Sequence, residues 1–263
     1  MAADPLLAVR DIEKHFGGVT ALDGVSITVP AGVVYGLIGP NGSGKTTLFN
    51  AVTGFERPDH GSVTFAGRPL DGLAPHQVAR LGLVRTFQST RCPHRMTVME
   101  NMLLAPQRQL GDGIAANFLH AGKVRRQERE HVEKARGLLA IVNLAEKSDD
   151  YAGSLSGGQR KLLTLAQALM AEPKLILLDE PVAGVNPKLI GDIAAVIQRL
   201  RDEGRNFLIV EHNMHFIRTV CDRVSVLDTG RVIAEGTAQE VLARDEVLSA
   251  YLGRRSGAEA AAG

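Results

Sequence analysis

Nine residues, Gly39-Pro40-Asn41-Gly42-Ser43-Gly44-Lys45-Thr46-Thr47, constrain this chain more than any other stretch. The apolar run Val33-Val34-Tyr35-Gly36-Leu37-Ile38 leads into them, and Thr47 to Val52 carries a helical pattern after them. Strand, glycine-rich turn and helix form the context in which G-x-x-x-x-G-K-[ST] acts as a phosphate cradle. Glycines put no Cβ in the way, so backbone N–H groups can point at phosphate oxygens. The helix start adds unpaired N–H donors and the positive end of its dipole. Lys45 supplies a point charge for the β- and γ-phosphates. The Thr46 hydroxyl is suited to ligate Mg²⁺.

The rest of the chain fits an α/β protein built around that loop. With 263 residues it is long enough for one large domain or a domain with a subdomain. A formal net charge of +1 gives no strong field, so a nucleic-acid partner is not expected. The two cysteines, Cys92 and Cys221, stand far apart and outside any C-x-x-C spacing, as expected for free thiols in a reducing compartment. Cys92 and His94 make a poor metal pair. No apolar run approaches the roughly 20 residues that span a bilayer, and no signal peptide is apparent. A cytoplasmic location follows, with any membrane reached through a partner.

Leu7 to Ile12, Val25 to Val29 and Ser62 to Phe65 read as strands, with Gly17-Gly18 and Asp23-Gly24 as punctuation. Pro75 to Leu81 has a helix start signal, and Leu83 to Phe87 is β-like. From 89 to 154 strand patterns vanish and helical spacing takes over, as in Val132, Ala135, Leu138, Leu139 and Val142. This segment reads as a helical insertion. Its charged stretch Lys123 to Lys134 mixes both signs, as a solvated helix face does. The α/β pattern then resumes. Ser156 to Leu169 and Pro187 to Leu200 are helical. Leu175 to Leu178 and Phe207 to Val210 are continuous apolar runs, typical of strands buried on both faces of a parallel sheet. The division is therefore 1–88 with 155–253 for the core, 89–154 for the helical part, and a fraying tail at 254–263.

Chemistry collects at the ends of these runs. Asp179 and Glu180 close the first apolar strand, where ligands bind in open parallel sheets. Adjacent residues point to different sides, so Asp179 can hold Mg²⁺ while Glu180 orients and deprotonates an attacking water. His212 closes the second run; if the strands are neighbours it lies beside Glu180, where an imidazole can contact a γ-phosphate. Gln88 ends a strand-like run, and its carboxamide can ligate Mg²⁺ or bond the lytic water. Leu155-Ser156-Gly157-Gly158-Gln159 opens a helix, with Ser156 as N-cap and paired glycines that let a phosphate approach.

Taken in order, these residues resemble the ATP-binding subunits of ABC transporters. Gly39–Thr47, Gln88, Leu155–Gln159, Leu175–Glu180 and His212 match that family's Walker A, Q-loop, signature, Walker B and switch histidine, and the similarity runs from Leu6 to Gly253. The resemblance implies an α/β fold: a P-loop NTPase core with a mixed sheet, an N-terminal antiparallel β subdomain and a helical insertion subdomain. It implies ATP hydrolysis, with Lys45, Gln88, Glu180 and His212 in catalytic roles and Thr46, Gln88 and Asp179 as Mg²⁺ ligands. Gly39, Pro40, Asn41, Gly42, Ser43, Gly44, Lys45, Thr46 and Thr47 would hold the nucleotide, and Phe16 matches the aromatic that stacks on adenine. It also implies a second ATP-binding subunit, a copy or a paralogue, stacked head to tail. Ser156, Gly157, Gly158 and Gln159 would then serve the partner's nucleotide. The helical insertion would dock onto membrane-spanning permease subunits at the cytoplasmic face of the plasma membrane, with a solute-binding protein engaged indirectly.

A finer similarity narrows the subgroup. Phe16-Gly17-Gly18, Arg85-Thr86-Phe87-Gln88, Met96 to Asn101, Glu180 to Pro187, Glu211-His212-Asn213-Met214 and Ala250-Tyr251-Leu252-Gly253 resemble the ATPases of branched-chain amino-acid importers. Asn186 stands where most ABC ATPases have Asp, as in that subgroup. Other readings stay open: a related ATPase for urea, amides or lipid extraction, or an ABC-type ATPase working away from membranes. The DNA-repair type needs a long coiled coil, and no sustained heptad run occurs. The translation type has two cassettes, and here one loop and one signature occur. A guanine-nucleotide switch would need Asn-Lys-x-Asp, which is missing.

Overall fold

The computed structural model describes residues 5–86, 92–106, 121–247 and 249–251. They fall in two compact units, one within 1–85, 174–181 and 197–263, the other within 86–173 and 182–196.

The first unit holds two sheets. Strands β1 (Leu7–Phe16), β2 (Val19–Val29), β4 (His60–Phe65) and β5 (Arg68–Pro69) form an antiparallel sheet in the order β2-β1-β4-β5. The second sheet has the order β10-β9-β3-β8-β7-β6. Its strands are β3 (Val34–Ile38), β6 (Leu83–Thr86), β7 (Leu175–Asp179), β8 (Phe207–Val210), β9 (Arg223–Asp228) and β10 (Arg231–Thr237). β3 lies parallel to β8 and β9, β7 lies parallel to β8, and β10 runs antiparallel to β9, so the sheet is mixed. Every residue of β3 and β8 is buried, which is why these runs do not alternate.

Helix α1 (Lys45–Val52) starts two residues before the apolar pattern that announces it. Its Leu48, Phe49 and Val52 share one core with Leu7, Val9, Ile12 and Ile27 of the antiparallel sheet and with Tyr35, Leu37, Leu177 and Leu208 of the mixed sheet. Asp23-Gly24, expected to break the chain, instead lies inside β2. Gly24 takes φ +68° and Asp11 of β1 takes φ +48°, and the β1–β2 register slips in this region. The irregularity is a bulge, not a turn. Ser26 Oγ holds it by accepting from the Asp11 backbone N–H and donating to its carboxylate.

The second unit is helical. It contains α3 (Val98–Leu103), α4 (Ala121–Ile141) and α5 (Gly157–Met170), which pack on one another. Thr97 and Glu100 form a capping box at the start of α3. Gln167 of α5 donates to the Asn101 carbonyl, and Cys92 is buried with its Sγ facing Thr164 and Gln167. The helix that opens on the signature pentapeptide thus packs with the helical segment that precedes it. Helices α2 (Pro75–Arg80), α6 (Pro187–Asp202), α7 (Met214–Val220) and α8 (Ala238–Val241) complete the described α-helices, with short 3-10 turns at Ala145–Lys147 and Ala152–Ser154. Among the described residues no helix is long and apolar enough to cross a membrane.

Candidate nucleotide site at the strand ends

The loop after β3 is wrapped around its own lysine. Lys45 is buried, and its ammonium donates to the carbonyls of Gly39 and Pro40, each at 2.8 Å. Ser43, fully buried, donates its N–H to Pro40 O and accepts from Gly230 N. Gly230 also accepts from Asp23 N, so the β9–β10 turn braces the loop against β2. Two glycines are required here. A Cβ on Gly39 would lie 2.0 Å from the Leu227 carbonyl oxygen, and one on Gly44 would lie 2.5 Å from that of Ala21. At Gly42, by contrast, a Cβ would meet nothing within 4 Å: that face of the loop is open.

The open face belongs to a cleft of about 250 Å³ lined by Val19, Thr20 and Ala21 of β2, by Asn41, Gly42, Gly44, Lys45, Thr46 and Thr47, and by Glu180 and Val210. Sequence patterns did not single out the β2 residues. The signal was available: a tight turn at Gly17-Gly18 pairs Phe16 with Val19, and both are exposed apolar side chains, at 48% and 66%. Lys14 Nζ sits 5.4 Å from the Phe16 ring centroid.

β7 and β8 are neighbours, with Asp179 paired to Val210. Glu180 N donates to Val210 O, and Glu180 takes φ +49°, a left-handed conformation that costs a non-glycine residue about 1–2 kcal/mol. The two strand-end carboxylates face different partners. Asp179 Oδ2 accepts from Arg85 Nη2 at 2.8 Å, and Arg85 Nη1 donates to Asn50 Oδ1 at 2.6 Å. Glu180 Oε1 lies 3.8 Å from His212 Nδ1. The Arg85 bridge from α1 to β7 was missed, because its three members are remote in sequence.

In the helical unit, Ser156 is the N-cap of α5. Its Oγ accepts from Gln159 N at 3.2 Å, while Gln159 Oε1 accepts from Ser156 N at 2.9 Å. The paired glycines differ. A Cβ on Gly157 meets nothing within 4 Å, whereas one on Gly158 would lie 2.8 Å from Leu189 Cδ1. Gln88 lies outside the described residues. Among the described residues no group of three His, Cys, Asp or Glu is placed to hold a metal.

A buried lysine inside a backbone ring, two carboxylates at a strand end and a histidine two residues past the end of the adjacent strand suit a polyphosphate ligand. The family pattern described as "ABC transporter" matches residues 22–183. The chain belongs to the ABC transporter family. A second pattern, described as "Branched-chain amino acid ATP-binding cassette transporter", matches residues 231–256 of this cassette. The high-affinity branched-chain amino acid transport ATP-binding protein BraF of Pseudomonas aeruginosa is 40% identical over 95% of this chain and 98% of its own length. The probable branched-chain amino acid transport ATP-binding protein LivG of Archaeoglobus fulgidus is 42% identical over 94% of this chain and 95% of its own. A crystal structure of the ADP conformation of MJ1267, an ATP-binding cassette of an ABC transporter, superposes with a TM-score of 0.81 at 39% identity, covering 95% and 99% of the two chains. This cassette is thus a nucleotide-binding ABC ATPase with the P-loop NTPase fold.

Proposed function

We propose that this ABC ATPase powers an importer of branched-chain or other hydrophobic amino acids. The mechanism rests on one observation: the phosphate loop and Glu180 line one cleft, with His212 beside Glu180. Lys45 has a backbone-held ammonium at the loop, suited to the β- and γ-phosphates. Glu180 takes a proton from the attacking water, and His212 steadies the γ-phosphate beside it. Phe16, exposed beside Val19, offers a face for adenine.

Mg²⁺ fits the donor chemistry, since it is held by one or two protein oxygens plus substrate phosphates rather than by an all-protein cage. Thr46 would offer its hydroxyl, Asp179 a carboxylate that Arg85 orients, and Gln88 its carboxamide. When bound, the ion neutralises charge on the β- and γ-oxygens. A second ATP-binding subunit would bring Ser156, Gly157, Gly158 and Gln159 to the nucleotide. Permease subunits would hold the pair at the cytoplasmic face of the membrane, with a solute-binding protein delivering cargo.

The branched-chain reading of the cargo is supported by the named relatives and by the match at 231–256. Reconstitution in proteoliposomes with permeases and a binding protein of the branched-chain type tests it. Leucine-loaded binding protein should stimulate phosphate release several-fold, and urea or short amides should not. Stimulation by urea or amides alone would reassign the cargo, and stimulation by no solute would remove the transport reading.

A further inference from the structure

Lys45 and Glu211 are the charged side chains buried in the described residues. Lys45 belongs to the phosphate loop. Glu211 is not among the cleft-lining residues, and an ionised carboxylate is among the costliest groups to bury. Its exposure is 0%, one residue past the end of β8. The β8 ladder stops at Val210, so the next N–H groups have no strand to pair with. Glu211 Oε2 accepts from His212 N at 2.9 Å and from Asn213 N at 3.1 Å. Asn213 in turn caps α7, its Oδ1 accepting from Phe216 N. The Glu211 carboxylate and the Asn213 cap thus bind three donors of the turn from strand to helix.

His212 depends on that turn for its placement. Its side chain is 56% exposed, and Nδ1 stands 3.8 Å from Glu180 Oε1 and 3.7 Å from Glu211 Oε2, both beyond hydrogen-bond reach. A ring not tied to either carboxylate takes its position from its backbone. We infer that Glu211 is a positioning residue for His212: its buried carboxylate clamps the two N–H groups that aim the imidazole at the cleft. The inference rests on the reading of His212 as a group that acts on the γ-phosphate. It makes Glu211 an acceptor of fixed reach rather than a source of charge.

The test compares the Glu211→Asp, Glu211→Gln and Glu211→Ala variants, alone and combined with His212→Ala, by steady-state phosphate release and thermal melting. Glu211→Asp keeps the charge but withdraws the acceptor by one methylene; kcat should fall about tenfold or more, with KM for ATP within about twofold, because misplacement of a group near the chemistry is expensive. Glu211→Gln loses the charge but keeps an acceptor of equal reach, and should restore most of kcat. In the His212→Ala background, Glu211→Ala should cost little further, since two residues that act as one unit are not additive. Equal losses in both backgrounds, or Glu211→Asp turning over like the parent, would overturn the inference. So would a fall in melting temperature with kcat untouched. Full turnover by His212→Ala would instead remove the reading on which it rests, and the inference with it.

Discussion

Lys45 is tied into its own loop and also lines the cleft, so its removal should touch both stability and binding. Its ammonium closes the loop by donating to the Gly39 and Pro40 carbonyls, and the residue is largely buried at the cleft wall. Truncation therefore removes a donor from two buried acceptors and a cation from the phosphate site. Lys45→Ala is expected to lose about 1–3 kcal/mol of stability for the unsatisfied carbonyls. ATP affinity should drop by about tenfold to a hundredfold, the worth of one charge-assisted contact. Chemical denaturation reads the first effect, and titration with a fluorescent ATP analogue reads the second. Unchanged affinity would contradict the loop's assignment. Arg85 is a contrasting cation. Its guanidinium lies 5.6 Å from the Phe49 centroid and 6.0 Å from that of Phe55, and it bonds Asn50 and Asp179. It holds the Asp179 carboxylate at 2.8 Å.

At the scale of elements, helix α5 separates two glycines that a motif treats alike. Gly157 faces open space, while Gly158 packs where a methyl group would meet Leu189 and Val185. Gly157→Ala should keep or slightly raise stability, because alanine is the better helix former by about 1 kcal/mol. Gly158→Ala should destabilise by about 1–3 kcal/mol through overpacking. Thermal melting of the two variants separates them, and equal melting temperatures would refute the packing argument. This contrast also shows how far the sequence could be read. Gly39–Thr47, the apolar runs at 175–178 and 207–210, and the Ser156 cap were legible because each is a local pattern with one physical reading. The continuation of β2 through Gly24 was not, because a bulge and a turn use the same residue types and only the pairing strand decides between them. Nor was the Arg85 bridge, whose bonds span 35 and 94 residues of sequence. Glu211 was hidden for a related reason: a lone acidic residue after a strand looks like a polar end until its burial is known.

At the scale of the whole molecule, the phosphate loop sits in one compact unit and the signature helix in the other. In the proposed head-to-tail pair, each nucleotide would meet a loop from one subunit and a signature from its partner. ATP would then hold the two chains together, and hydrolysis would release them. In that scheme Glu180 would serve the second step without being needed for the first, since it lines the cleft wall at the strand end rather than the loop. Glu180→Gln keeps size and hydrogen bonding but removes the base, so turnover should fall by about 10²- to 10⁴-fold while ATP still binds. The bound state then accumulates. Sedimentation of Glu180→Gln with ATP and Mg²⁺ should show a dimer that ADP does not support, and binding of ATP to the closed pair should raise its melting temperature by mass action. Adding Ser156→Arg to the same chain places a bulky cation at the exposed start of α5, outside the Gly39–Thr47 loop. ATP binding to the monomer should survive and dimerisation should not. A Glu180→Gln variant that binds ATP yet stays monomeric at concentrations far above its nucleotide Kd would remove the head-to-tail arrangement and leave only the single-subunit site.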